Sequence, residues 1–329
     1  MKERQNGLHM PDGSFRSAEA IRRDAAMKGE IIPRFDTPLP TDKGFDYWSD
    51  RFQGRADQFQ ETAEVKNQHV EITLPGDVAC INFLGDTHVG SPYTDYDRIQ
   101  REVETIVNTP NSYVMLMGDL VDGFFFNPAQ FDQMEQSPEQ FQYARSMIEY
   151  LAEKNRLLVG WGGDHDNWAK KMGLSAFTHF AEEAKAHYIY GLGFVSLNLG
   201  DHEYKIAGAH RLPGSSMYNK NHPGIRAEKF GGARGADIVV HGHTHQKGYS
   251  QQPVSEFGGQ SRNVHYISIG PYKSTDEYAR KLGFGQQSEA EMFGSAIIIS
   301  GDTDKKRIQY HDSILSANFE VAKIVEETK

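Results

Sequence analysis

From residue 69 onward, apolar runs and helical periods take turns along the chain. His69–Leu74 alternates polar and apolar positions, as a strand with one solvated face does. Pro75-Gly76-Asp77 then turns the chain, and Val78–Leu84 is a continuous apolar run suited to a strand buried on both faces. Thr94 is expected to cap a helix carrying Tyr96, Ile99, Val103 and Ile106 on its apolar side. Tyr113–Met117 reads as the next strand. Ser137-Pro138 with Gln140 is a helix start, and Phe141, Met147, Ile148 and Leu151 follow at helical spacing. Leu157–Trp161 is a further strand, with a helix over about 167–186. The second half is richer in strands: Phe194–Leu199, Tyr204–Ala207, Asp237–Val240, His265–Ile269 and Ser295–Ser300. An α/β first half followed by a strand-rich half predicts two β-sheets packed as a sandwich with helices outside, an αββα architecture.

Residues 1–68 follow a different pattern and predict a small, mainly helical extension. Ser17 is placed to cap a helix over 18–28 that stops at Gly29. Phe45, Trp48, Phe52 and Phe59 lie at helical spacing, so a second helix would carry one aromatic stripe. That stripe would pack on the main domain or join two copies of the chain as a homo-oligomer. The expected organisation is an extension over 1–68, a main domain over 69–315 and a C-terminal tail over 316–329.

Composition narrows the function. With 38% hydrophobic and 24% charged residues, the 329-residue chain is globular rather than disordered. A net charge of −10 argues against a surface built to wrap nucleic acid, although a local basic face remains open. One cysteine, Cys80, rules out an internal disulfide and a thiolate zinc site, and its apolar neighbours predict a buried core residue. No run reaches 18 apolar residues, so no membrane span is expected. Met1–Asn6 leads into no apolar stretch, which predicts a cytoplasmic protein without a secretory signal.

Polar residues gather just beyond the predicted strands. Gly85-Asp86-Thr87-His88 follows the first buried strand, and Gly118-Asp119-Leu120-Val121-Asp122 follows the next. Gly162-Gly163-Asp164-His165-Asp166, Gly208-Ala209-His210 and His241-Gly242-His243-Thr244-His245 complete the set. Loops at strand ends are where α/β sheets place ligands, and the glycines let the backbone turn sharply. Asp86 and His88 are two apart, as are His243 and His245, so each pair shares a face in extended chain. Carboxylates with imidazoles and no thiolate suit Mn²⁺, Fe or Zn²⁺, whereas Mg²⁺ and Ca²⁺ prefer oxygen alone. Three carboxylates and four histidines exceed one ion's needs and fit two.

This set resembles the calcineurin-like metallophosphoesterase superfamily, whose pattern runs Asp-X-His, Gly-Asp-X-X-Asp, Gly-Asn-His-Glu/Asp, a lone His and Gly-His-X-His. The resemblance covers about residues 76–312 and implies a metallophosphoesterase-like sandwich holding two divalent transition-metal ions, Mn²⁺ first. It implies that Asp86, His88 and His245 hold one ion, that Asp164, His210 and His243 hold the other, and that Asp119 bridges them. A hydroxide between the ions would attack phosphorus. His165 would protonate the leaving oxygen and, with Arg211, bind phosphate, while Asp122 would orient His165.

One position departs from the pattern: Asp164 stands where the family has Asn. Three aspartates and a hydroxide then cancel the charge of two divalent ions, which disfavours a monoester dianion. Residues 202–248 carry seven Lys/Arg against three Asp/Glu, and Arg211–Arg234 reads as a substrate loop. Together these favour a phosphodiester substrate, DNA, RNA or a nucleotide, and hence a hydrolase of nuclease type. Repair nucleases of the superfamily usually add a capping domain after the last motif, and here only 84 residues follow His245. A phosphomonoesterase on phosphoprotein or a small metabolite is the alternative. Against it, Gly123 stands where the protein phosphatases have Arg. A non-catalytic metal-binding scaffold is the third reading. Softer features are His241, which would support the last motif or simply fill a strand, and Phe124–Phe126, which would line a cleft or pack in the core.

Overall fold

The computed structural model describes residues 44–64, 69–123, 134, 137–168, 176–216, 218–255, 261–275, 280–281, 283, 285–302 and 304–328. In chain order its elements are α1 Phe45–Glu64, β1 His69–Leu74, β2 Val78–Leu84, α2 Tyr96–Asn108, β3 Ser112–Leu116, α3 Ser137–Glu153, β4 Leu157–Trp161, α4 Asp164–Trp168, α5 Ala176–Glu183 and β5 His187–Ile189. They continue with β6 Gly193–Leu199, β7 His202–Ala209, α6 His222–Phe230, β8 Ile238–His241, β9 Gly248–Ser255, β10 Ser261–Ser268, β11 Ser295–Ser300, β12 Arg307–His311 and α7 Ile314–Glu327. The chain divides into two compact units, Met1–Val65 and Lys66–Lys329.

The second unit is built on two mixed six-stranded sheets. One runs β1-β6-β7-β8-β10-β9 and the other β12-β11-β2-β3-β4-β5. The expected two-sheet sandwich with outer helices is what the chain forms. Its central strands, such as β2, β3 and β11, read as unbroken apolar runs because both faces are covered. In β2, Ala79, Ile81 and Phe83 face the core between the sheets, together with Met115, Trp161, Leu197, Ile206, Val240 and Ile297. Leu84, Ile99, Ile106, Leu151 and Phe177 form a second core under the outer helices, and Ala207, Val239 and Tyr266 a third beneath α6. Trp161 of one sheet lies over Gly208 of the other, where a Cβ would sit 2.5 Å from the indole ring.

Within the first sheet β7 and β8 are parallel, and within the second β2, β3 and β4 are parallel. Parallel pairing puts the carboxyl ends of paired strands on one edge. The five polar motifs begin at those ends.

Several local expectations are corrected. Asp95, not Thr94, caps α2, accepting from Arg98 N at 2.9 Å. Thr94 is spent on the carbonyls of Thr87 and His88, at 3.0 and 2.9 Å. The helix expected over about 167–186 is two helices, α4 beginning at Asp164 itself and α5 ending at Glu183. The expected tail at 316–329 is mostly helix α7, which buries Ile314, Ala317 and Val321 against β2 and β11. Buried Asn318 fixes it there, donating to Asn82 Oδ1 at 2.8 Å and accepting from Ser112 at 2.5 Å. Strand β9 went unread because alternate positions along it are polar and exposed. Cys80 is fully buried, as expected, and burial pushes its thiol far above the ordinary value. The helix expected over 18–28 and Phe124–Phe126 lie outside the described residues.

In the first unit, Phe45, Trp48 and Phe52 of the expected aromatic stripe lie on α1, while the side chain of Phe59 lies outside the described residues. Trp48 lies 6.3 Å from Phe52 between ring centres, and Phe45 and Phe52 are 84% and 63% exposed. No helix among the described residues is long and apolar enough to cross a membrane.

Candidate metal centre

The motif loops are held backbone to backbone. Asp86 N donates to Gly118 O at 2.8 Å, His88 N to Asp119 O at 3.1 Å and Gly242 N to His210 O at 3.0 Å. Two glycines are required by these approaches. A Cβ on Gly163 would overlap the Asp119 backbone and carboxylate, and one on Gly242 would lie 2.6 Å from Asp86 Oδ2. The candidate ligand residues also depart from ordinary backbone. Asp86, His88, Asp119, His243 and His245 all have φ between 45° and 67°, the left-handed region that side chains disfavour. Backbone strain of this kind costs on the order of 1–3 kcal/mol per residue and persists only where surrounding structure enforces it.

Three groups of ligand atoms converge, each within 4.8 Å: Asp86, His88 and His245; Asp119, His210 and His243; and His88, Asp122 and His165. In the first, His88 Nε2 and His245 Nε2 are 2.9 Å apart, with Asp86 Oδ1 3.5 Å from His245 Nε2. In the second, His210 Nδ1 lies 2.8 Å from the Met117 carbonyl, which turns Nε2 inward. That Nε2 is buried and stands 3.0 Å from Asp119 Oδ2, outside hydrogen-bonding geometry. Asp164 joins from the rim, its Oδ2 3.4 Å from His243 Nδ1 and 3.1 Å from Arg211 Nη1.

The electrostatics fit a cation. Burial pushes the Asp119 carboxyl up, but His210, His165 and His88 around it hold it below the usual carboxylate value. Burial pushes His210 down, yet Asp119 and Asp86 lift it to about 10, so without metal a proton balances the carboxylates. Burial lowers His88 to about 4, which leaves a neutral imidazole ready to ligate. Inward-facing imidazole nitrogens beside ionised aspartates, with no thiolate, are a donor set for two divalent ions of intermediate hardness.

The sequence profile of calcineurin-like phosphoesterases matches residues 81–247, about half the chain. The chain belongs to this family. Membership brings metal-dependent phosphoester hydrolysis as its class of chemistry and implies two divalent ions. Two solved structures are similar. A metallophosphoesterase from Sphaerobacter thermophilus has 13% identity over 76% of this chain and 95% of its own, at a TM-score of 0.33. Vps29 of Chaetomium thermophilum has 11% identity over 71% of this chain and 92% of its own, at 0.32. No curated protein matches the sequence.

Several residues support the motif loops. Asp166, the last residue of the third motif, and Asp122 belong to the calcineurin-like pattern, whereas Gln140 and Lys273 do not. Asp166 accepts from Leu120 N, Val121 N and Gly163 N at 2.8, 3.3 and 3.0 Å, tying the second and third motif loops together. Burial and then neighbouring Asp119 raise its carboxyl to about 7. Buried Gln140 accepts from Gly123 N at 3.0 Å. Asp122 faces two histidines with different atoms: Oδ1 lies 3.2 Å from buried His88 Nδ1, an ion-pair distance outside hydrogen-bonding geometry, and its backbone carbonyl 2.5 Å from His165 Nδ1. Lys273 donates to the same Oδ1 at 2.9 Å. Burial pushes the Asp122 carboxyl up, but His88 and Lys273 outweigh it and hold the group at about 2. A single lysine after a strand carries no sequence signal.

His241 is buried, and burial pushes its ring down to about 4, so it stays neutral. Several basic residues of 202–248 are engaged within the chain. Lys205 pairs with Glu203 and Lys220 with Glu291, while Lys247 Nζ donates to the Met292, Gly294 and Asp312 carbonyls. Arg211 is the base that reaches a ligand residue.

Proposed function

We propose that the protein is a two-metal phosphodiesterase that works with Mn²⁺ first and takes a nucleotide or a nucleic-acid strand as substrate. The observation that carries this reading is the ring of Asp86, His88, Asp119, Asp164, His210, His243 and His245 at the ends of parallel strands. When bound, two divalent ions would make water acidic at neutral pH and clamp a phosphate between them. Asp86, His88 and His245 would hold one, Asp164, His210 and His243 the other, and Asp119 both.

The remaining steps belong to the chain. His165 has its backbone N–H on Asp119 Oδ1 at 2.8 Å and its Nδ1 on the Asp122 carbonyl. With Nδ1–H so held, Nε2 is the atom that faces a leaving oxygen, and the imidazolium form of the ring would give its Nε2 proton to that oxygen and return to neutral imidazole. Arg211 binds a non-bridging phosphate oxygen at the rim. The diester preference follows from Asp164. This added carboxylate lowers the positive charge of the centre, and Arg211 answers it from a side chain 63% exposed, where water screens the pair. A diester monoanion suffers less from that loss than a monoester dianion.

The test is kcat/KM for aryl phosphodiesters and monoesters with Mn²⁺, in wild type and Asp164→Asn, with His165→Ala as control. Wild type should favour the diester. Asp164→Asn should move the ratio toward the monoester by roughly tenfold or more: one charge at about 4 Å through an effective dielectric of about 20 is worth about 4 kcal/mol, and water at the exposed rim screens part of it. An unchanged ratio removes the diester argument, and monoester preference in wild type supports the alternative. A panel of single- and double-stranded DNA, RNA and cyclic nucleotides then sorts the diesters.

A further inference from the structure

Lysine is almost never buried unless it is paired, because desolvating an ammonium costs several kcal/mol. Lys273 is 7% exposed. Its backbone is locked against the motif loops on both sides. Tyr272 N donates to Asp86 O at 2.9 Å, Asp95 N to Tyr272 O at 3.0 Å and Ser274 N to Tyr93 O at 3.0 Å. Lys273 itself forms a β-bridge with Thr94, whose hydroxyl holds the carbonyls of Thr87 and His88. The segment from Ile269 to Ser274 is therefore a strap behind the Asp86–His88 loop, and its one cation points at Asp122.

The Asp122 oxygen that Lys273 holds is the one beside His88 Nδ1, and the Asp122 carbonyl is the group beside His165 Nδ1. We infer that Lys273 is a positioning residue for this centre, fixing Asp122 so that His88 and His165 present their Nε2 atoms to metal and substrate. The inference rests on the metal-centre reading above. Partners of this kind fix the tautomer and ring orientation of a ligating histidine. Without the ammonium, the Asp122 carboxylate would be free to turn, and the His88 ring would lose its anchor.

The experiment is a double-mutant cycle of Lys273→Met and Asp122→Asn on the full chain. Mn²⁺ affinity is measured by competition with a chelator, together with kcat and KM on an aryl diester. Lys273→Met should weaken Mn²⁺ binding by roughly tenfold, the low end of the range for outer contacts of a ligating histidine. It should lower kcat with KM near wild type. Asp122→Asn should show the same pattern, and the double variant should be no worse than Asp122→Asn alone. Wild-type affinity in Lys273→Met, or effects that multiply in the double variant, would overturn the inference and leave the metal reading intact. Should Lys273→Met not fold, Asp122→Asn decides: unchanged Mn²⁺ affinity there also overturns it. If wild type binds no Mn²⁺, both readings fall.

Discussion

The core between the sheets and the loop ring at their edge obey opposite rules. Around Trp161, Ile81, Leu197 and Val240 the side chains are apolar and fully buried. A few residues further along the same strands, Asp86, His88, Asp119, His243 and His245 bury charge or hold left-handed backbone. Burial in the first region stabilises the fold, while backbone strain and desolvated charge in the second cost stability. The fold can therefore be damaged without touching the ring, and the ring can be disarmed without loss of the fold.

Substitutions can separate the two, beginning with the largest effect. His165→Ala should lower kcat by about 10²–10⁴, the range for a lost general acid, and leave the urea midpoint unchanged. Trp161→Ala should do the reverse, destabilising the fold by about 3–5 kcal/mol in urea denaturation. Its remaining folded fraction should keep wild-type metal stoichiometry. Asn318→Ala, which takes one hydrogen-bond partner each from buried Asn82 and Ser112 beneath α7, should cost about 1–3 kcal/mol with kcat unchanged. A drop in kcat there would show that the two regions are not separable.

The smallest effects sharpen the contrast. His245→Gly removes a left-handed side chain at φ 52°. Its metal-free stability should match wild type or exceed it by up to about 1 kcal/mol, while Mn²⁺ affinity falls. Marked destabilisation would mean that the backbone there is relaxed. Cys80 should resist thiol reagents until the chain unfolds. Burial raises its pKa above the ordinary 9.0, so the folded state holds the proton more tightly than the unfolded state. This contribution to stability is complete below about pH 9 and declines as the unfolded thiol ionises above it. Rapid labelling of folded protein at pH 8 would contradict the burial.

The contrast also explains what could be read from the sequence. Apolar runs such as Val78–Leu84 announce buried strands, and an aspartate or histidine just beyond such a run breaks the pattern visibly. The motif residues were legible for that reason, as was the two-sheet architecture. Strand β9 was not, because polar residues at alternate positions give no apolar run. Helix α7 hid because its contacts with β2 and β3 join residues more than 200 positions apart in the chain, as in Asn82 and Ser112 to Asn318. The atoms of Asp122 that face His88 and His165, and the lysine behind them, depend on loop packing that no spacing rule encodes. Arg211 was legible as a basic residue next to His210, but its pairing with Asp164 was not.

The most direct measurement is the number of Mn²⁺ ions retained per chain by equilibrium dialysis, for wild type and for Asp119→Ala. Two ions per chain are expected, with both weakened when the shared carboxylate is removed. A wild-type protein that retains none, or an Asp119→Ala protein that keeps both as tightly, would contradict a paired-ion centre at the strand ends.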